Sequence, residues 1–158
     1  MTDGVDKTDL KILKILQGDG RITNLQLSTD VGLSPAPTLE RVKKLERAGI
    51  IRSYHAELNA EAMGLGIQAF MMVSLAINKN NAITKFESKI KEISEIVDCY
   101  HLTGAADYLL NIMVPDILAY DILIREKLSM IEEITSMQSL IVLSQVKKSN
   151  CLPLNYEI

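Results

Sequence analysis

Residues 22–58 read ITNLQLSTDVGLSPAPTLERVKKLERAGIIRSYHAEL. The stretch divides at Val31-Gly32-Leu33 into two short segments of helical periodicity. Thr23 can cap the first, with Leu25, Leu27 and Val31 as its buried side chains. Gly32 can take the positive φ that stops it. Ser34 can cap the second by accepting from its free N–H groups. Pro35 suits the first helical position, and Pro37 still lies in the first turn. Leu39, Val42, Leu45 and Glu46 then share one side, while Glu40, Lys43, Lys44 and Arg47 share the other, and Gly49 ends the run. Two short helices around a glycine turn, the second one basic, make a helix-turn-helix. That device sets its second helix in the major groove of DNA. A plain αα-hairpin with a solvated basic face would carry the same pattern, because helical hairpins are common and only some read DNA.

Charge sharpens the choice. The chain carries 17 Lys/Arg and 20 Asp/Glu, a net of -3. Residues 34–55 hold five basic side chains against two acidic ones, so the positive potential is local to the second helix and the segment after it. This suits a protein that docks DNA with one face and keeps an acidic body away from it. So few cations bind DNA weakly in one copy, and useful affinity needs several copies on neighbouring half-sites.

A boundary falls at Asn59–Gly66 (NAEAMGLG). Before it, Ile50–Ala56 reads as a short strand or wing. After it, residues 67–77 read as a strand, and 83–93 as a helix with Ile83, Phe86, Ile90 and Ile93 on one face. Residues 97–103 and 108–114 read as strands around Gly104-Ala105-Ala106-Asp107. Asp116 can cap a helix with Ile117, Tyr120, Ile124, Leu128 and Ile131 inward, and residues 137–147 read as a last strand. The expected fold is α+β. A winged helix-turn-helix occupies 1–58, a linker 59–66, and an antiparallel ferredoxin-like β-α-β-β-α-β domain 67–158.

The strands are too apolar for a lone domain. Ile67, Ala69, Met71, Val73, Leu75 and Ile77 fill one face of the first strand, yet Phe70, Met72 and Ala76 lie on the other. Tyr108, Leu110, Ile112 and Val114 likewise oppose Leu109 and Met113, and Leu140 and Val142 oppose Ile141 and Leu143. Both helices of such a unit cover one face, so the other needs a partner, most simply a second copy. A tail or wing folding over the sheet is the alternative cover.

Other classes find little support. Apolar residues make up 47%, enough for real cores, and no run is long enough for a membrane span. The polar, acidic start does not read as a secretory signal. Cys99 and Cys151 are far apart with no CxxC, which fits a reducing cytoplasm and argues against a disulfide or zinc site. The two histidines, His55 and His101, are isolated, and no HExxH, GxSxG, P-loop or GxGxxG occurs. No catalytic residue, metal or cofactor is expected.

The run Gly20-Arg21-Ile22-Thr23-Asn24 with the later run Val31-Gly32-Leu33-Ser34-Pro35-Ala36-Pro37-Thr38-Leu39-Glu40-Arg41-Val42-Lys43-Lys44-Leu45-Glu46 resembles the DGRISN…VGLSPxPxxxRVxxLE signature of the Lrp/AsnC family of transcription regulators. Asp6…Asp9-Leu10, His101-Leu102-Thr103-Gly104 with Asp107-Tyr108-Leu109-Leu110, and Val114-Pro115-Asp116 with Ala119-Tyr120 extend the likeness along nearly the whole chain. The resemblance implies a sequence-specific regulator that binds double-stranded DNA. Asn24, Ser34, Ala36, Thr38, Arg41, Lys44, Arg47 and Arg52 are the candidate DNA-facing residues. Arg41 is expected at a base edge, and Lys44, Arg47 and Arg52 at phosphates. The same family implies an amino-acid effector at a subunit interface and a homodimer or higher oligomer such as an octamer, with no membrane partner. Leu102, Thr103, Gly104, Asp107, Tyr108 and Leu140 are the candidate effector residues. Loop N–H groups can take a carboxylate and Asp107 an ammonium, while Leu102 and Leu140 favour an aliphatic or thioether ligand such as leucine or methionine. Many members carry G-D-x-D-Y where this chain has Gly104-Ala105-Ala106-Asp107-Tyr108, so one acid is missing. A plain hairpin turn in an effector-independent regulator is the competing reading. A sirohaem-decarboxylase-like enzyme of the same layout is another. It would need His and Arg around an anionic tetrapyrrole, yet Arg125 is the only arginine after Arg52.

Overall fold

A computed structural model describes residues 4–76 and 81–154. The chain forms two compact units. One gathers the residues up to Glu57 with the segment from Lys147; the other runs from Leu58 to Val146.

Among the described residues the first unit has three helices: α1 (Lys7–Gly18), α2 (Asn24–Val31) and α3 (Pro35–Arg47). A capping box starts α1: the Asp9 N–H donates to Asp6 Oδ1 (2.8 Å) and the Asp6 N–H to Asp9 Oδ2 (3.2 Å). Thr23 caps α2 by accepting from the Gln26 N–H at 3.2 Å, and Gly32 ends it in the left-handed region at φ 76°. Ser34 precedes α3 but makes no side-chain cap bond, contrary to expectation. An N-cap oxygen bonds the second or third helical N–H, and with Pro37 at the third position only the Ala36 N–H is left to it. Ile12, Leu27 and Leu45 form the buried centre, with Leu13, Leu16, Ile22, Val31, Val42 and Ile51 packed on it. Leu25 and Leu39, expected inside and on the inner side, are exposed at 68% and 41%. Thr38 takes the inner position instead of Leu39, at i, i+4 and i+7 spacing with Val42 and Leu45, which stay inside as expected.

No strand forms at Ile50–Ala56. That segment is irregular, and the chain from Lys147 joins the same unit: Lys148 pairs with Glu57 at 2.7 Å, and the Gln17 side-chain amide donates to the Leu152 carbonyl. The segment from Lys147 thus lies with the first unit although the expected second domain runs over 67–158, and the expected linker 59–66 lies with the second unit. The ties are from side chain to backbone or between charges, so no hydrophobic pattern announces them.

The second unit has the expected β-α-β-β-α-β order: β1 (Ile67–Leu75), α4 (Ala82–Lys91), β2 (Ile96–His101), β3 (Tyr108–Val114), α5 (Ile117–Ile122) and β4 (Ile134–Ile141). The sheet is antiparallel with order β2-β3-β1-β4. Ala69, Met71, Val73, Leu110, Ile112, Phe86, Leu123 and Leu128 fill the core between sheet and helices. Ile77 lies outside the described residues. Several details differ from the expected elements, β2 among them, which runs Ile96–His101 rather than 97–103. On α4 the inward row is Ala82, Phe86 and Ile90, so Ile83 is exposed. After α5 come a wide π turn, Leu123–Lys127, and a tight 3-10 turn, Leu128–Met130. Leu123 joins the core three residues after Tyr120 and, across the wide turn, five before Leu128, with Ile124 packed partly buried beside it, and Ile117 at the head of α5 is exposed. Finally, β4 starts at Ile134 and ends at Ile141, earlier than expected, because its pairing with β1 stops near Ala69.

Candidate nucleic-acid interface and effector hairpin

The head and outer side of α3 face solvent. Ser34 and Ala36 are exposed there, as are Lys43, Lys44 and Arg47, with Arg52 beyond. Lys43 pairs with Glu40 at 3.2 Å, and Lys44 Nζ donates to the Gly4 carbonyl at 2.8 Å. No ion pair among the described residues holds Arg47 or Arg52. The structure therefore brings small side chains to the head of the helix and solvent-facing cations to its flank, the division that base edges and phosphates require.

Three candidates stand elsewhere. Thr38 is fully buried and its hydroxyl donates to the Ser34 carbonyl at 3.0 Å, so it cannot reach a base. Asn24 donates from Nδ2 to the Pro35 carbonyl at 2.8 Å, which ties α2 to the head of α3. Arg41 turns inward: one guanidinium nitrogen reaches Asp6 Oδ2 at 2.6 Å and Asp9 Oδ1 at 2.7 Å. The Asp9 N–H and then Arg41 hold the Asp6 carboxyl below its usual range, and Asp9, then Asp6, raises the Arg41 guanidinium. Asp9, wholly buried, is a residue that pattern reading missed. The only signal was an acid pair three apart at a helix start, which reads equally as an ordinary cap.

In the second unit, the hairpin between β2 and β3 is pinned at its base. The Leu102 N–H donates to the Asp107 carbonyl at 2.8 Å, and the Asp107 N–H donates to the Val73 carbonyl at 2.9 Å. Asp107 Oδ2 accepts from the Leu75 N–H at 2.7 Å, so this carboxylate anchors the end of β1. It keeps further lone-pair positions, since a carboxylate has about four. Gly104 sits at φ 138°, a region that side chains resist, and Thr103 is exposed beside it. Tyr108 is not on this surface. It is buried toward the helices, its hydroxyl donates to Glu87 Oε1 at 2.9 Å, and its ring stacks on His101 at 4.7 Å. Strand alternation accounts for this: Tyr108 shares the inward row with Leu110 and Ile112. Burial, then Glu87, pushes its hydroxyl up to about 12.

Leu102 and Leu140 are both part-exposed, at 37% and 44%, but they do not meet within one chain. Leu102 comes just after β2 and Leu140 lies on β4, and these are the two opposite edges of the sheet. Three strand spacings separate the edges, about 14 Å.

The face of the sheet without helices carries Gln68, Phe70 and Met72 from β1, Leu109, Asn111 and Met113 from β3, Tyr100 from β2 and Leu140 from β4. A polar line crosses it: Gln68 Nε2 donates to Asn111 Oδ1 at 2.9 Å, and Asn111 Nδ2 to Asp98 Oδ2 at 2.8 Å.

A tri-helical head with a solvent-facing cationic helix, joined to a ferredoxin-like sheet, defines a DNA-binding regulator with an effector domain. Similarity to known proteins agrees. Residues 5–52 match the winged helix-turn-helix DNA-binding family model, and residues 68–152 match the Lrp/AsnC ligand binding domain. The chain belongs to the Lrp/AsnC family. It is 39% identical to the leucine-responsive regulatory protein of Klebsiella pneumoniae over 148 residues, 94% of this chain and 90% of that one. Among solved structures, a Neisseria meningitidis transcriptional regulator in complex with L-Met superposes at a TM-score of 0.92 with 42% identity, covering 95% of this chain and 97% of that one. An AsnC family regulator from Agrobacterium tumefaciens gives 0.90 with 34% identity, covering 97% and 99%. These relatives are regulators rather than enzymes, so the decarboxylase reading falls away.

Proposed function

We propose that this chain is a cytoplasmic, amino-acid-responsive regulator that acts as a homodimer or a higher oligomer such as an octamer. Ser34 and Ala36 meet base edges, while Lys44, Arg47 and Arg52 meet phosphates. The observation that carries the effector reading is the placement of Leu102 and Leu140 on opposite sheet edges. If both line one pocket, they come from two subunits, and a ligand bridging them couples assembly to occupancy. A ligand shifts such an equilibrium only by its differential affinity for the two states.

Two features support an aliphatic or thioether amino acid. The candidate side-chain lining is apolar, and burying an unpaired charge against it is costly. The Neisseria relative was solved with L-Met. Gly104 and Thr103 supply the loop, and Asp107 supplies an acceptor for the ammonium from the lone pairs that Leu75 does not use. Calorimetry with leucine, methionine, asparagine and lysine tests this. Leucine or methionine should bind, and Asp107→Ala should weaken binding. Binding unchanged by Asp107→Ala removes that residue from the site, and no binding alongside intact operator recognition supports the effector-independent reading.

A further inference from the structure

We propose that Arg41, Asp9 and Asp6 form a positioning clamp that sets the recognition helix against α1, and that Arg41 serves operator recognition without touching DNA. The three side chains close a ring in which every carboxylate oxygen has a hydrogen-bond partner. Asp6 Oδ1 takes the Asp9 N–H and Asp9 Oδ2 the Asp6 N–H, which is the cap of α1. The remaining two oxygens, Asp6 Oδ2 and Asp9 Oδ1, take the same Arg41 nitrogen.

Arg41 lies in the middle of α3, between the exposed head and Arg47. Its pull therefore fixes how that head projects from the unit. One turn later, Lys44 reaches the Gly4 carbonyl, so the same stripe of α3 is held to the chain around the start of α1 at two points. Asn24 fixes the head from the other side through the Pro35 carbonyl.

The burial of Asp9 decides between clamp and base reader. Asp9 is 0% exposed, and Arg41 is the one cation it meets among the described residues. An arginine swinging out to a guanine would strand a desolvated carboxylate, a larger loss than one base contact returns. Asp9 itself, fully enclosed, has no route to DNA. Any effect of Asp9 on operator affinity must therefore pass through the helix it holds.

A double-mutant cycle tests the clamp on the full chain, with operator and shuffled duplexes titrated over a range of salt. Arg41→Ala and Asp9→Asn should each weaken operator binding by about tenfold or more and lower the operator-to-shuffled ratio. In the Asp9→Asn background, Arg41→Ala should cost little more, because the clamp is already open. The salt slope should stay at its wild-type value with Arg41→Ala, and Arg41→Lys should recover part of the ratio. Asp6→Asn, at the more exposed end, repeats the cycle should Asp9→Asn unfold the unit. Two results would overturn the proposal. One is a full Arg41→Ala loss that adds to that of Asp9→Asn and of Asp6→Asn. The other is a salt slope that falls by about 0.9 with Arg41→Ala, the mark of a lost phosphate contact.

Discussion

Met72 and Val73 are adjacent on β1 and point to opposite faces, so the same charge placed at each separates folding from assembly. Val73 is fully buried in the core. Val73→Asp strands an unpaired carboxylate there, which costs several kcal/mol after relaxation, on top of about 1.5–3 kcal/mol of lost burial. That rivals the whole stability of a small domain, about 5–15 kcal/mol. Val73→Asp should therefore unfold the second unit. Met72 lies half-buried on the helix-free face beside Phe70 and Leu109. In a monomer, an aspartate there stays hydrated and the fold survives. In a dimer paired through this face, two carboxylates are buried in an apolar contact. At roughly 2–3 kcal/mol each, they weaken association by about 1,000- to 25,000-fold. Sedimentation equilibrium with circular dichroism reads both outcomes. The expected pattern is a folded Met72→Asp monomer and an unfolded Val73→Asp chain. A wild-type monomer at micromolar concentration, or Met72→Asp assembling like wild type, refutes the paired-sheet reasoning.

Arg47→Ala should reduce the slope of log affinity against log salt by about 0.9 on operator and shuffled DNA alike, as loss of one phosphate contact does. Fluorescence anisotropy over a salt series measures it. Acid should destabilise the protein in a defined window. Asp6, Glu95 and Glu133 are each held below their ordinary values, the first chiefly by the Asp9 N–H and the others by Lys127 and Lys89. Depressed carboxyls contribute stability that is present above their unfolded values near 4 and lost as pH falls through the folded ones. The midpoint of thermal unfolding should accordingly drop steeply below about pH 4, and Lys89→Met should flatten part of that drop. At the other extreme, burial and then a neighbouring carboxylate push Tyr54 and Tyr108 up to about 12, so phenolate absorbance should rise late. Their contribution is complete below an unfolded value near 10 and is lost toward 12. Glu46→Gln should bring the Tyr54 titration down, because Tyr54 donates to Glu46 at 3.0 Å.

Local chemistry made much of this fold readable. Thr23, Gly32 and Gly49 act at helix ends as their residue types suggest, and the alternation along Ile67–Leu75 matches the observed burial of every second residue. What escaped was one local inversion and several non-local contacts. A fully buried Thr38 and an exposed Leu39 invert the hydrophobic order, because the hydroxyl of Thr38 is satisfied by its own helix while Leu39 looks outward. Arg41 read as a DNA contact because a basic residue on a recognition helix usually is one. Its partners lie 35 and 32 positions away, beyond any spacing rule. Tyr108 directly follows the effector loop in sequence, yet strand alternation turns it into the core. The apolar side chains of Leu102 and Leu140 suit one lining, and only the strand order shows that a single chain keeps them at opposite edges.

The central claim is that an amino acid bound to the second unit alters how α3 reads DNA. Its most direct test is anisotropy titration of an operator obtained by selection, against a shuffled duplex, at fixed salt with and without leucine or methionine. The operator should bind more tightly than the shuffled duplex, and one of the two amino acids should move operator affinity by about 5- to 150-fold, the usual range of coupling between sites. Equal affinity for both duplexes, unchanged by either amino acid, would contradict the account.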